Sequence, residues 1–131
     1  MGTHNPENRH FLSAALAAAV VLAGCKEPPQ NRRTPVDAAE KRGLALIEAT
    51  GCGACHEIPG LRWPRSRLAP SLTEFGAIGL IAGSVPNTPA NLAAFVREPQ
   101  AVKPGSTMPP MPISEAEAAD IAAYLYGLRD D

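Results

Sequence analysis

Hydrophobic and polar residues recur at helical spacing in three segments of the chain, and each segment begins with residues that cap helices. Thr34 precedes Pro35, and Thr88 precedes Pro89. Ser114 stands three positions before a glutamate, as in a capping box. The apolar residues of this third segment lie on one helical face: Ala118, Ile121, Ala122, Leu125 and Leu128. No segment alternates regularly enough to predict a strand, so the pattern predicts an all-α domain.

Helix-stopping residues set the ends of the three predicted helices. The first runs from Thr34 to the residue before Gly51, and the second runs from Thr88 until Pro99 ends it. The third runs from Ser114 towards the end of the chain. Fourteen prolines and eleven glycines leave long loops in between. We therefore expect three main helices joined by Pro- and Gly-rich loops.

The N-terminal part of the chain has the pattern of an export and anchoring signal. Residues 11–23 are apolar, but a bilayer-spanning helix needs about 20 such residues. The length is typical of the apolar part of a secretory signal. The run ends in Leu22-Ala23-Gly24-Cys25, which resembles the lipobox of bacterial lipoproteins. This resemblance implies cleavage before Cys25 and lipidation of that cysteine.

These signals divide the chain into three parts. Residues 1–24 are the predicted signal peptide, and residues 25–36 are the lipidated cysteine with a Pro-rich, mostly positive tether. Residues 37–131 form the predicted domain. The alternative for the apolar run, a buried Ala-rich helix, fits poorly because the run ends in Gly-Cys and then turns polar.

Composition restricts the classes of function. The 131 residues carry a formal charge of −1, which argues against a nucleic-acid partner. Aromatic residues make up 5% of the chain, too few to fill a core by themselves. Charge is uneven, because residues 26–67 hold eight basic and five acidic side chains whereas residues 68–131 hold three and seven. Such a dipole orients a protein towards a partner.

The pentapeptide Cys52-Gly53-Ala54-Cys55-His56 carries the strongest chemical signal. It is the attachment pattern of a c-type haem, in which two thiols add to the vinyl groups of one porphyrin. The adjacent histidine then becomes the proximal ligand of the iron. One covalent haem also supplies the missing aromatic bulk of the core.

Other uses of this pentapeptide fit the chain less well. A thioredoxin-like pair follows a strand, whereas this pair follows a predicted helix. A closed zinc site needs four ligands, but Cys25 is assigned to the lipid and His56 is the only histidine downstream of it. The second axial ligand is therefore not a histidine. Residue types alone leave Met108, Met111 and an open site as alternatives.

Residues 38–128 resemble the class I monohaem cytochromes c, which are small all-α electron carriers. The segment Pro104-Gly105-Ser106-Thr107-Met108 is similar to the ligand loop of that family. The resemblance implies that Met108 is the distal ligand of the iron, with Met111 as the alternative.

Two further segments share this resemblance. Ala69-Pro70-Ser71-Leu72 is similar to a turn of the family in which the proline carbonyl accepts the Nδ1 hydrogen of the proximal histidine. Gly43 and Ile47 stand where the family places the glycine and the bulky residue of its first helix. Residues 121–125 resemble the partner face of its last helix. The resemblance implies that Gly43 lets these two helices cross closely.

Within the class, residues 84–109 are most similar to the cytochrome c domain fused to subunit II of bacterial haem-copper oxidases. The chain departs from those relatives at Gly76-Ala77-Ile78 and at Phe95, where they tend to carry Gly-Ser-Arg and Trp. Both departures remove donors to a haem propionate. Trp63 and its neighbouring arginines are candidate replacements, and a solvated basic loop is the alternative for the same residues: Arg62, Arg65 and Arg67.

The resemblance implies a membrane-tethered one-electron carrier that is not itself an enzyme. We expect it to be a monomer in the bacterial cell envelope, receiving electrons from a quinol-oxidising complex and delivering them to a terminal oxidase. Two alternatives stay open: a cytochrome c subunit of a periplasmic dehydrogenase, and a gas-binding haem protein with an open distal site.

Overall fold

The computed structural model describes residues 34–129, whose regular secondary structure is mostly helical. Its four α-helices are α1 (Ala38–Ala49), α2 (Pro89–Arg97), α3 (Pro99–Val102) and α4 (Glu115–Tyr126). Two 3₁₀ turns lie between them, at Cys52–Ala54 and Phe75–Ala77. None of the helices within residues 34–129 has both the length and the apolar character that a bilayer crossing requires. The predicted signal peptide, Cys25 and residues 26–33 of the tether lie outside the described residues.

Helix α1 begins later than the sequence predicts. Asp37, not Thr34, is its cap, because the Asp37 carboxylate accepts the N–H of Glu40 at 2.8 Å. The Glu40 carboxylate in turn accepts the N–H of Val36 at 2.9 Å. These two hydrogen bonds satisfy two backbone donors and fix the start at Ala38. The predicted start was wrong, whereas the predicted stop at Gly51 is confirmed.

The other two predicted helix starts are confirmed. The Thr88 hydroxyl accepts the N–H of Asn91 at the start of α2. Ser114 and Glu117 form a complete capping box at the start of α4. Pro99 ends α2, but it also begins the one-turn helix α3, which the sequence analysis did not predict. A proline suits the first helical position because its missing N–H is not needed there.

A short hairpin corrects the expectation that no strand forms. Strand β1 (Leu80–Ile81) pairs antiparallel with β2 (Val85–Pro86). Ala82 and Gly83 take positive φ values in the turn between them. Two residues per strand are too few for an alternating pattern to be recognised in the sequence.

The core forms where α4 packs against α1 and α2. Tyr124 of α4 is fully buried, and its hydroxyl donates to the Pro59 carbonyl at 2.7 Å. The Arg42 guanidinium of α1 makes two hydrogen bonds to Asp120 of α4, at 2.6 and 2.7 Å. These bonds lower the pKa of the Asp120 carboxyl. The largest buried aliphatic residues are Ile47, Ile58, Ile81, Leu92, Ile121 and Leu128.

Gly43 lies at the crossing of α1 and α4, as the resemblance implies. A Cβ atom there would overlap the Asp120 carbonyl and press on the Tyr124 Cβ at 3.1 Å. We expect Gly43→Ala to cost about 1–3 kcal/mol in free energy of unfolding, because the helices must separate. At about 4–8 °C per kcal/mol, the melting temperature falls by about 4–24 °C.

Gly79→Ala is the matched control for this substitution. A Cβ atom at Gly79 would meet nothing within 4 Å. Both melting temperatures are measured by circular dichroism on holoprotein. Equal melting temperatures for the two variants would contradict a tight helix crossing at Gly43.

Candidate haem site

The chain places two thiols and an imidazole on one tight turn directly after α1. Gly51 has a φ of 75°, a conformation that favours glycine, and it turns the chain out of the helix. The N–H groups of Cys55 and His56 then both donate to the Cys52 carbonyl, at 3.2 and 3.0 Å. The Thr50 hydroxyl lies 3.3 Å from the Cys52 sulfur. Both thiols of this turn are free.

The imidazole of His56 is oriented by the loop that follows the turn. Its Nδ1 lies 2.7 Å from the Pro70 carbonyl oxygen. A carbonyl only accepts hydrogen bonds, so Nδ1 carries the proton and Nε2 keeps its lone pair for a metal. The Ala69 N–H donates to the Cys55 carbonyl at 2.9 Å and holds this loop against the turn. The contact is the one that the family resemblance implies.

These groups line a cavity of about 570 Å³. Its volume lies within the range of about 300–1,000 Å³ typical of cofactor and ligand pockets. Cys52, Cys55, His56 and Met108 all line it. Apolar side chains make up most of the remaining wall: Ile47, Ile58, Leu72, Phe75, Ile78, Ile81, Leu92, Phe95, Val96, Ile121 and Leu125. Two of them, Ile78 and Phe95, are residues at which the chain departs from the family pattern.

The structure separates the two candidate methionines. Met108 lines the cavity, whereas Met111 is not among the residues of its wall. The side-chain amide of Gln100 donates to the Met108 carbonyl at 2.8 Å, and the Met108 N–H donates to the Ser106 hydroxyl at 3.3 Å. The N–H of Met111 instead donates to the Arg97 carbonyl at the end of α2, at 3.1 Å. Backbone anchors on both sides therefore hold the loop with Met108 at the cavity.

The structure does not bring the proposed propionate donors to the cavity. Arg62, Trp63, Arg65 and Arg67 are exposed, and none of them lines the wall. Arg67 is bound to Glu57 at 2.9 Å instead. This hydrogen bond lowers the pKa of the Glu57 carboxyl. The assignment of these side chains to a propionate stays a prediction that the geometry does not favour.

Other polar side chains line the cavity, and the sequence analysis missed them as wall residues: Ser71, Lys103, Ser106 and Thr107. Lys103 donates to the Ala82 carbonyl and so ties the methionine loop to the hairpin turn. The sequence offered one sign that Lys103 is a functional residue, because it is the only charged residue in the segment 103–112.

The sequence analysis missed Asn87 as well. Its side-chain amide donates to the carbonyls of Phe75 and Ile78 at 3.0 Å. It thereby positions one wall of the cavity.

This donor set fits a c-type haem. Two free thiols stand on one turn, an imidazole offers Nε2, and a thioether lines the same apolar cavity. Among residues 34–129, no three His, Cys, Asp or Glu side chains gather into a site for a metal ion without a porphyrin. Cys52 and Cys55 would hold the haem covalently, and His56 and Met108 would offer its iron a nitrogen and a sulfur. When bound, the haem supplies an iron that accepts and returns one electron.

Comparison with known proteins agrees with this site. The family model described as cytochrome c matches residues 40–129. The chain is 33% identical over 96 residues to cytochrome c oxidase subunit 2 of Alkalihalophilus pseudofirmus, which covers 72% of this chain and 27% of that protein. It is also 33% identical over 106 residues to cytochrome c oxidase subunit 2 of Bacillus sp. (strain PS3), covering 76% of this chain and 30% of that protein.

A third relative is cytochrome c oxidase subunit 2 of Bacillus subtilis, 29% identical over 108 residues, covering 79% of this chain and 30% of that protein. The chain thus spans less than a third of the length of these relatives. The family model, in contrast, covers more than half of the chain, including all four helices except the first residues of α1. The chain therefore belongs to the cytochrome c family and carries a covalently bound haem c.

Proposed function

We propose that this protein is a one-electron carrier whose haem iron is held by His56 and Met108. The observation that carries the proposal is the convergence of four groups on one apolar cavity: the two thiols, the imidazole and the Met108 side chain. Such a carrier takes up and releases an electron without turning over a substrate, so the protein is not itself an enzyme.

Each of these residues has a physical role in this function. His56 offers Nε2 because the Pro70 carbonyl holds the proton on Nδ1, and this fixed tautomer keeps the ligand ready in both redox states. A methionine thioether favours ferrous iron and raises the reduction potential relative to two histidines. The apolar wall excludes water and so limits the reorganisation that accompanies electron transfer.

We further propose that a terminal haem-copper oxidase takes electrons from this carrier, and that a quinol-oxidising complex supplies them. The similarity to three cytochrome c oxidase subunits 2 supports this placement. The matched segment makes up 27–30% of the length of each relative, so these oxidase subunits contain a segment similar to this domain.

We propose a location at the bacterial cell envelope, with the domain facing the outer side of a membrane. The support comes from the sequence, in which residues 1–24 resemble a signal peptide and Leu22-Ala23-Gly24-Cys25 resembles a lipobox. Acyl chains on Cys25 would anchor the protein stably, since more than one chain is attached. We also propose that the protein is a monomer.

Oxidation of the carrier by an oxidase tests the proposed function. Reduced holoprotein is mixed with a purified haem-copper oxidase and oxygen in a stopped-flow spectrometer. We expect the absorption bands of reduced haem c to disappear within milliseconds to seconds, and cyanide inhibition of the oxidase to prevent this. A carrier that stays reduced while a second cytochrome c is oxidised in the same mixture would contradict the proposed placement.

A further inference from the structure

One charged side chain lines the haem cavity, and the haem site described above gives it no role towards the cofactor. Lys103 is the only lysine, arginine, aspartate or glutamate among the residues of the cavity wall. It is half-buried, whereas most basic residues among residues 34–129 are exposed. Removing an ammonium group from water costs free energy unless a hydrogen-bonded partner of opposite charge compensates for it. The position of Lys103 therefore requires an anionic partner.

The described part of the chain supplies no such partner. Within residues 34–129, neither of the two salt bridges involves Lys103. Its Nζ donates to the Ala82 carbonyl, and a Cβ atom at Gly83 would lie 3.3 Å from the same nitrogen. An ammonium group has three hydrogens, so the Ala82 carbonyl leaves two of them for other acceptors. The cation thus lies against the hairpin turn with donors to spare.

The chain around Lys103 carries almost no other charge. Residues 75–96, which include the hairpin and most of α2, contain no charged residue, and neither do residues 104–114. Every wall residue from α1, α2 and α4 is apolar. Arg97 and Glu98 follow in the chain but do not line the cavity. Lys103 therefore sets the charge of this part of the wall.

The missing carboxylates belong to haem c, which carries two propionates. They are attached at the porphyrin edge opposite the vinyl groups to which the cysteines bind. Cys52 and Cys55 fix the vinyl edge at the turn after α1, whereas Lys103 is bonded to the hairpin turn, another part of the wall. The donors considered from the sequence do not compete, because Ile78 replaces an arginine of the family pattern and residues 62–67 do not line the cavity.

We propose that Lys103 is the ionic partner of one haem propionate. Its Nζ keeps the bond to the Ala82 carbonyl and donates a charge-assisted hydrogen bond to the propionate carboxylate. One side chain then joins the methionine loop, the hairpin turn and the cofactor. The proposal needs bound haem c, but it needs neither Met108 on the iron nor an oxidase as partner, so it stands or falls separately from the proposed function.

The propionate carboxyls are observed directly by NMR on the holoprotein. Expression with aminolevulinic acid that carries carbon-13 in its carboxyl group labels both of them. Ferrous haem with six ligands is diamagnetic, and carbon monoxide is added so that an open distal site also meets this condition. The carbon-13 shift of each carboxyl, followed against pH, gives its pKa. A nearby cation lowers the pKa of a carboxyl, so the two values report which propionate Lys103 meets.

Lys103→Gln separates the charge of the side chain from its bond to Ala82. Glutamine loses the positive charge but keeps an N–H donor for the carbonyl. We expect the pKa of one propionate to rise by about one pH unit and that of the other to stay as in wild type. The midpoint potential should fall, because a cation beside the haem opposes oxidation to the ferric state. Lys103→Arg keeps the charge and should keep the wild-type pKa values and potential.

Lys41→Gln is the matched control. Lys41 is an exposed lysine of α1 and does not line the cavity. Its replacement removes the same charge and should leave both propionate pKa values and the midpoint potential unchanged, because solvent and salt screen an exposed charge. Equal changes in Lys41→Gln and Lys103→Gln would show a general effect of net charge and overturn the proposal.

A second variant tests the competing assignment of the propionate to the arginines beside Trp63. Wild-type pKa values of both propionates in Lys103→Gln overturn the proposal. If Arg62→Gln/Arg65→Gln raises a propionate pKa instead, the partner is one of these arginines.

Contact is also measured on wild-type protein, so a variant that fails to fold does not remove the test. We expect nuclear Overhauser cross-peaks between the ε-methylene of Lys103 and the methylenes of one propionate. Their absence would overturn the proposal. Failure of an oxidase to oxidise the carrier would contradict only the proposed function, since neither the carboxyl titration nor the cross-peaks involve an oxidase.

Discussion

Replacing Met108 by alanine is expected to remove the near-infrared absorption band of thioether-ligated ferric haem and to lower the midpoint potential. Axial ligation sets haem potentials over a range of about 0.8 V, and the loss of the thioether should account for a drop on the order of 0.1 V or more. The reduced variant should also bind carbon monoxide at the freed position. An optical redox titration measures the band and the potential, and spectra of the reduced protein with added carbon monoxide measure the third effect.

Met111→Ala is the control, because it removes the same side chain three residues away. Met111 is half-buried at the edge of the core and does not line the cavity. Its replacement should leave the spectrum and the potential unchanged and lower only the stability. If Met111→Ala loses the band instead, the ligand is Met111. If neither variant changes the spectrum and wild-type protein binds carbon monoxide, the result supports a gas-binding haem protein with an open distal site instead of a carrier.

Loss of both cysteines is expected to prevent accumulation of folded protein. We expect the haem to fill the cavity of about 570 Å³ that its attachment residues line. At about 24 cal/mol per Å³, an unfilled cavity of that size costs at most about 14 kcal/mol. A domain of this length is stable by only about 5–15 kcal/mol, so Cys52→Ala/Cys55→Ala should leave the chain unfolded or degraded.

Ala54→Ser is the control for this variant, since Ala54 is exposed between the two cysteines on the same turn. It should retain haem through acid-acetone extraction and denaturing electrophoresis, as wild type does. The double cysteine variant should show no haem stain and no helical circular dichroism. A folded, haem-free double variant would contradict the view that the haem completes the core.

Short-range patterns account for what the sequence alone predicts well. The caps at Thr88 and Ser114 bond to N–H groups three residues away, so the residue types that form them are visible within one turn. The Cys52-Gly53-Ala54-Cys55-His56 pattern is equally local. At the first helix the predicted cap Thr34 was wrong, because Asp37, three residues later, accepts the N–H of Glu40 while the Glu40 carboxylate accepts the N–H of Val36.

The amino-acid sequence by itself therefore determined the class of fold, the haem-attachment turn and two of the three helix starts. The resemblance of residues 104–108 to a ligand loop implied Met108, but residue types alone left Met111 open because both lie in one Pro-rich segment. The tertiary structure puts Met108 in the cavity wall, with the loop held by contacts to Gln100 and Arg97. It also decided where the arginines beside Trp63 point. Side-chain direction in a loop depends on long-range backbone contacts, here to Gly53 and Cys55, which no local pattern encodes.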